Sequence, residues 1–213
     1  IGEVLNTEAK ITDGTLTAAP EGSPVGTVEF RNVSFKYPDA SEYVLHDMSF
    51  KAERGQTVAF IGSTGSGKST AINLVPRFYA ATEGEVLVDG VNVKDYTLAA
   101  LHDKIGYVPQ RAVMFSGTVE SNVTYGEKAG LEYSEEGVKE AVRIAQGQEF
   151  VEEKEDGYKA HVAQGGTNFS GGQKQRLAIA RAVYRRPEIY IFDDSFSALD
   201  YKTDKQLRTA LRE

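Results

Sequence analysis

From Thr27 onward the chain alternates. Val28, Phe30, Val33 and Phe35 sit among Glu29, Arg31, Asn32 and Ser34, the near two-residue period of a half-buried strand. A second strand is expected around Val44–Phe50, and a third over Glu85–Val88 running into an Asp89-Gly90 turn. Thr57–Ile61 (TVAFI) is a short, β-rich apolar run of the kind a fully buried parallel strand carries, and Ile189–Phe192 (IYIF) reads as a second one. Ile105–Val108 is another candidate, closed by Pro109. The period changes between Ser116 and Phe150. This stretch is polar and rich in Glu, with Val138, Ala141, Val142 and Ile144 at helical spacing, and it predicts a mostly helical insertion within a sheet domain. Gly171–Arg186 continues as a basic amphipathic helix ended by Pro187. Strands alternating with helices predict an α/β fold. Residues 1–24 read as a connector: Ile1, Val4 and Leu5 could end a helix, and Asp13-Gly14, Pro20 and Gly22-Ser23-Pro24 then break the chain repeatedly.

Composition narrows the function classes without naming one. The chain has 213 residues and a formal net charge of −7. That balance argues against a general nucleic-acid binder, which needs a basic field to displace counterions. With no cysteine, disulfide scaffolds, thiolate zinc sites and cysteine nucleophiles are excluded. No window approaches the roughly 20 consecutive apolar residues of a membrane span.

The chemistry is concentrated in three short motifs. Gly62, Ser63, Thr64, Gly65, Ser66, Gly67, Lys68, Ser69 and Thr70 spell GSTGSGKST, a complete phosphate-loop pattern. Its glycines let the backbone curl so that successive N–H groups point inward as an anion nest. The helix after the loop adds its positive end. Lys68 is placed to reach the β- and γ-phosphates of a nucleotide, and the Ser69 hydroxyl to bind Mg²⁺. Asp193, at the end of the IYIF run, has the form of a strand delivering a carboxylate to that Mg²⁺, usually through water. Ser170, Gly171, Gly172 and Gln173 open the helix at Gly171, offering free N–H groups and a hydroxyl that suit a second phosphate grip.

Taken together and in this order, these motifs make the chain resemble the nucleotide-binding domain of an ATP-binding cassette (ABC) transporter over nearly its whole length. The resemblance implies a phosphate-loop (RecA-like) core, an N-terminal antiparallel β-subdomain and an inserted α-helical subdomain over about 111–186, within a domain spanning 25–213. It implies a head-to-tail dimer with two ATP molecules at the interface, in which Ser170–Gln173 grips the γ-phosphate of ATP held by the facing domain. Tyr37, in FKYPDA, matches the aromatic that stacks on adenine, and Gln110, in YVPQ, the glutamine that helps bind Mg²⁺ and water. Ser197-Ala198-Leu199-Asp200 matches the loop that contacts the opposite subunit. The connector and the Gly117–Val123 segment are similar to exporter versions, which implies a transmembrane domain in the same polypeptide and a place on the cytoplasmic face of a membrane. The family also carries a switch histidine beyond the Asp200 loop. His46, His102 and His161 lie in other contexts, so the chain is expected to be cut before it.

Three departures stand out. Asp194 occupies the position where the family usually has the glutamate that orients or deprotonates the attacking water. Its reach is shorter by about 1.5 Å, one C–C bond. Hydrolysis at this chain's own site is therefore expected to be slow while binding survives. An intact signature beside a weakened base points to a heterodimer whose partner carries Asp-Glu. Gln164 stands where many exporters carry glutamate, and Phe169 where leucine is usual. The competing expectations are a soluble ABC ATPase of DNA repair or translation, against which the −7 charge argues, and a regulatory module that binds ATP without hydrolysing it.

Overall fold

The computed structural model describes residues 9, 11–126, 128–197 and 199–211; the expected helix end at Ile1, Val4 and Leu5 lies outside them. The chain is mixed α/β and divides into two compact units, residues 1–104 and 105–213.

The first unit is built on an antiparallel sheet. Strands β1 (Val28–Phe35), β2 (Leu45–Ala52), β3 (Glu83–Val88) and β4 (Val91–Asn92) lie in the order β2-β1-β3-β4. The alternation along β1 fixes the register: Phe30 pairs with Phe50 on one side and Val86 on the other. Its inward set, Phe30, Val33 and Phe35, is buried, as the sequence pattern predicts. Helix α1 (Lys68–Leu74) comes directly after the glycine-rich loop and buries Ala71 and Leu74. Helix α2 (Leu98–Lys104) buries Leu101. Beneath it lies a buried ion pair, Lys104 Nζ to Asp89 Oδ2 at 2.7 Å, with Asp89 1% exposed and its other oxygen accepting from the Thr27 amide at 3.1 Å.

The described residues ahead of β1 are laid down on this unit. Gly14, Thr15 and Leu16 donate backbone bonds to Tyr96 and Asp95, and Leu16 O accepts from Thr97. Asp13 accepts from the Leu98 amide at 2.7 Å, a carboxylate at the start of α2 where the helix field favours it. Arg77 Nη2, just past α1, donates to Thr12 O at 3.1 Å. Gly14 is required by proximity, since a Cβ there would stand 2.3 Å from the Asp95 carbonyl.

One expected element does not form. Residues 57–61 make no strand, and Val58 and Ile61 are 43% and 96% exposed. A parallel strand is buried by paired neighbours and covering helices. The only sheet of this unit among the described residues is antiparallel and does not include the run, so its apolar character finds no partner there.

In the second unit, β5 (Ile105–Val108) and β8 (Ile189–Phe192) pair in parallel, Val108 opposite Phe192. Only Ile189 and Ile191 of β8 are buried, so this strand is half-buried rather than enclosed, as befits a two-stranded sheet. A small pair, β6 (Gly117–Thr118) and β7 (His161–Val162), leads into helices α3 (Val119–Val123), α4 (Glu135–Ile144) and α5 (Gln148–Glu152). The expected helical insertion is present, and its starts are legible locally. Thr118 and Ser121 form a capping box, and Ser134 caps α4 through the Gly137 amide.

Helix α6 (Gly171–Tyr184) runs through the middle of this core, and α7 (Tyr201–Ala210) packs on it through Leu207. The expected helix forms, and Leu177 to Ala180 are buried in succession, so α6 is enclosed on more than one face there rather than amphipathic throughout. No helix among the described residues is long and apolar enough to cross a membrane.

Candidate functional site

The glycine-rich loop closes on its own lysine. Ser66 N turns back to Ser63 O, and Lys68 Nζ donates to the carbonyls of Gly62 at 2.8 Å and Ser63 at 2.7 Å, with Ser66 Oγ at 3.4 Å. Gly67 needs to be glycine: it starts α1 at φ 86°, and a Cβ would meet Leu45 and Val44 side chains at 3.0 and 3.1 Å. The fold thus holds an ammonium group inside a tight backbone curl at a helix start, bonded to that curl's own carbonyls.

Thr70, 6% exposed, links this loop to Tyr37. The Tyr37 hydroxyl and Thr70 Oγ1 are 2.8 Å apart. Tyr37 meets Phe35 and Tyr79 edge-on, at 82° and 90°. These rings, with Lys36, Pro38 and Phe78, border a cleft of about 690 Å³.

Gln110, Asp193 and Asp194 form a second group, on adjacent strand ends of β5 and β8. Asp193 N donates to Val108 O at 3.0 Å, and the buried Ser195 hydroxyl donates to the same carbonyl at 2.7 Å. These two bonds fasten the turn after β8 to the turn carrying Gln110. Gln110 Nε2 donates to Asp194 Oδ2 at 3.3 Å. Asp194 is exposed and has a left-handed backbone, φ 46°, which a short polar side chain tolerates better than most. Burial, and secondarily the Asp193 charge, push the Tyr107 phenol up to about 12.

Ser170–Gln173 form a third group at the start of α6. Ser170 Oγ accepts from Gln173 N at 3.2 Å while Gln173 Oε1 accepts from Ser170 N at 3.0 Å. This reciprocal cap holds both side chains at the helix mouth. Gly171 has open space where a side chain would stand. Phe169 is buried edge-on against Phe150, and Lys154 lies 4.4 Å above its ring, which accommodates the departure from leucine. Gln164 is exposed. Asp200 caps α7 through the Thr203 amide, and Ser197 Oγ donates to Asp194 O; Ala198 lies outside the described residues. His46 and His161 are exposed, and His102 bonds Pro76 O.

The loop and Tyr37 belong to the first unit, and the other groups to the second. Three supporting residues escape sequence reading: Ser195, Gln175 and Arg181. Gln175, buried within α6, donates to Pro109 O at 3.2 Å, beside Gln110. Arg181 donates to Asn122 O and Val113 O, holding the segment after Gln110 onto α6. Among the described residues no cluster of three or more His, Cys, Asp and Glu could hold a metal. The donors expected for Mg²⁺, on Ser69, Gln110 and Asp193, are all hard oxygens and only one is a carboxylate, which is the chemistry Mg²⁺ takes.

Comparison with known proteins agrees with these motifs. Residues 45–197 match the family described as ABC transporter. The chain is 48% identical over all 213 residues to an uncharacterised ABC transporter ATP-binding protein of Mycobacterium tuberculosis, covering 36% of that protein. It is 43% identical to the ATP-dependent lipid A-core flippase of Pseudomonas aeruginosa, over 88% of this chain and 31% of that one. It thus spans about a third of the length of such relatives. Among solved structures, a bacterial Atm1-family ABC exporter with ATP bound superposes with a TM-score of 0.87 at 33% identity, over 99% of this chain and 36% of that one. The chain belongs to the ABC transporter family.

Proposed function

We propose that this chain binds MgATP on the Gly62–Thr70 loop and, facing a second nucleotide-binding domain head to tail, drives export across a membrane by ATP-dependent closure and reopening. The observation that supports this reading is the loop itself, whose curl holds the Lys68 ammonium on the Gly62 and Ser63 carbonyls, a cation that a triphosphate could take up in exchange for those bonds. Tyr37 takes the adenine, and Ser69, Gln110 and Asp193 hold Mg²⁺, which when bound neutralises charge on the β- and γ-phosphates. Gln110 and Asp194 position the attacking water. Ser170–Gln173 serve the ATP of the facing domain. Membrane helices of the same polypeptide are the mechanical load, and this chain sits at the cytoplasmic face.

Asp194 gives the reading its asymmetry. The site built on this chain's own loop hydrolyses slowly, and the partner is a different half-transporter carrying Asp-Glu, whose ATP is completed by the intact Ser170–Gln173. The exposure and short reach of Asp194 also favour one second reading, a site that binds ATP and never hydrolyses it.

The test of the primary reading is nucleotide binding. Lys68→Ala removes charge-assisted bonds worth about 2 kcal/mol, and should weaken MgATP affinity by about thirtyfold in titration calorimetry. Equal affinity of wild type and variant would refute the assignment of the loop.

A further inference from the structure

The Tyr37–Thr70 contact joins two parts of the nucleotide site, the base side and the phosphate side. Thr70 lies one residue beyond Ser69, in the first turn of α1, and is almost fully buried. In a helix a threonine hydroxyl ordinarily bonds back to a carbonyl of the preceding turn. Here it faces Tyr37 OH at 2.8 Å. Tyr37 stands on the loop after β1, only partly buried, where an aromatic side chain would otherwise be free to turn about its two side-chain torsions. Two edge-on neighbours restrain the ring, Phe35 with centroids 5.0 Å away and Tyr79 at 5.2 Å. Among the described residues no ring lies flat on Tyr37, so a face stays available for stacking.

We infer that Thr70 is a positioning residue for Tyr37: its hydroxyl, working with the Tyr79 edge, fixes the aromatic ring ready to stack on a purine base, and so ties base recognition to the phosphate loop. This deepens the proposed nucleotide site and rests on it. A ring held in place before binding loses less freedom when the base arrives. Removing either hydroxyl would release the same restraint, so the two losses should overlap. A ligand with no base should be indifferent to the loss of the Tyr37 hydroxyl.

The experiment is a double-mutant cycle on the full chain with two probes, MgATP and magnesium tripolyphosphate. Tyr37→Phe and Thr70→Val each remove one hydroxyl with little change of shape. Each is expected to weaken MgATP binding about fivefold, and the double variant no further, because one bond is lost in every case. Tripolyphosphate affinity should stay at the wild-type value in Tyr37→Phe, which lies outside the phosphate loop, and Thr70→Ser should restore MgATP affinity. Tyr37→Phe lies outside the core and reports even if Thr70→Val folds poorly. Additive losses, or equal losses for both probes in Tyr37→Phe, would overturn the positioning role and leave the nucleotide site standing. Wild-type chain that binds neither probe would overturn both.

Discussion

Asp194→Glu is expected to raise single-turnover ATP hydrolysis at this chain's own site by on the order of a hundredfold, with MgATP affinity unchanged. The argument is one of reach. The Asp194 carboxylate touches Gln110 Nε2 at 3.3 Å, so both groups proposed to orient water sit at the same strand ends. The backbone there is fixed by β5–β8 pairing and by the two bonds to Val108 O, leaving little freedom to advance a short side chain. One added methylene moves the carboxylate outward by about 1.5 Å without altering its charge. A positioned base is worth a large factor only when it meets its proton within hydrogen-bond reach. The measurement is a quench-flow turnover in the assembled transporter, with the facing domain's own base removed so that only this site reports. An unchanged rate would mean that Asp194 is not the limiting defect, and would favour the non-hydrolysing reading.

The second large effect is on stability. Asp89→Ala should lower the free energy of unfolding by about 3–5 kcal/mol in urea titration, because it strips the carboxylate from a buried ion pair. Lys104 Nζ loses its 2.7 Å partner and the Thr27 amide loses its acceptor. Asp89 also holds φ 54°, a conformation that alanine adopts at a cost. Asp89→Asn keeps an acceptor for Thr27 and the tolerance for that backbone, so its loss should be clearly smaller. Equal losses for the two substitutions would assign the whole effect to the lost charge, since asparagine keeps the acceptor and the backbone tolerance.

How much of the molecule is readable in advance depends on whether the signal is local. The strands β1 and β3 and the starts of α3, α4 and α6 come from alternation and capping residues within a few positions of each other. The phosphate loop is legible because curl, lysine and hydroxyl are consecutive. The run at 57–61 misleads because apolar β-branched residues state that burial is favourable without stating against what. Ser195, Gln175 and Arg181 are silent for the converse reason. Their partners are main-chain oxygens 87, 66 and 59 residues away, on Val108, Pro109 and Asn122, and a carbonyl has no sequence signature.

The stretch of chain from Thr12 to Leu16 has a mechanical meaning. It is held at both ends and in the middle: Thr12 by Arg77, Asp13 by the Leu98 amide, and Leu16 by Asp95 and Thr97. A loose tether would spend a small pull on straightening itself. This one has no slack to take up, so a tug arriving ahead of Thr12 passes directly to Arg77, three residues beyond the last residue of the helix that starts at Lys68, and to the first turn of α2. A pull applied to the chain ahead of Thr12 would therefore load the far end of the helix that starts at Lys68 before the segment itself lengthened.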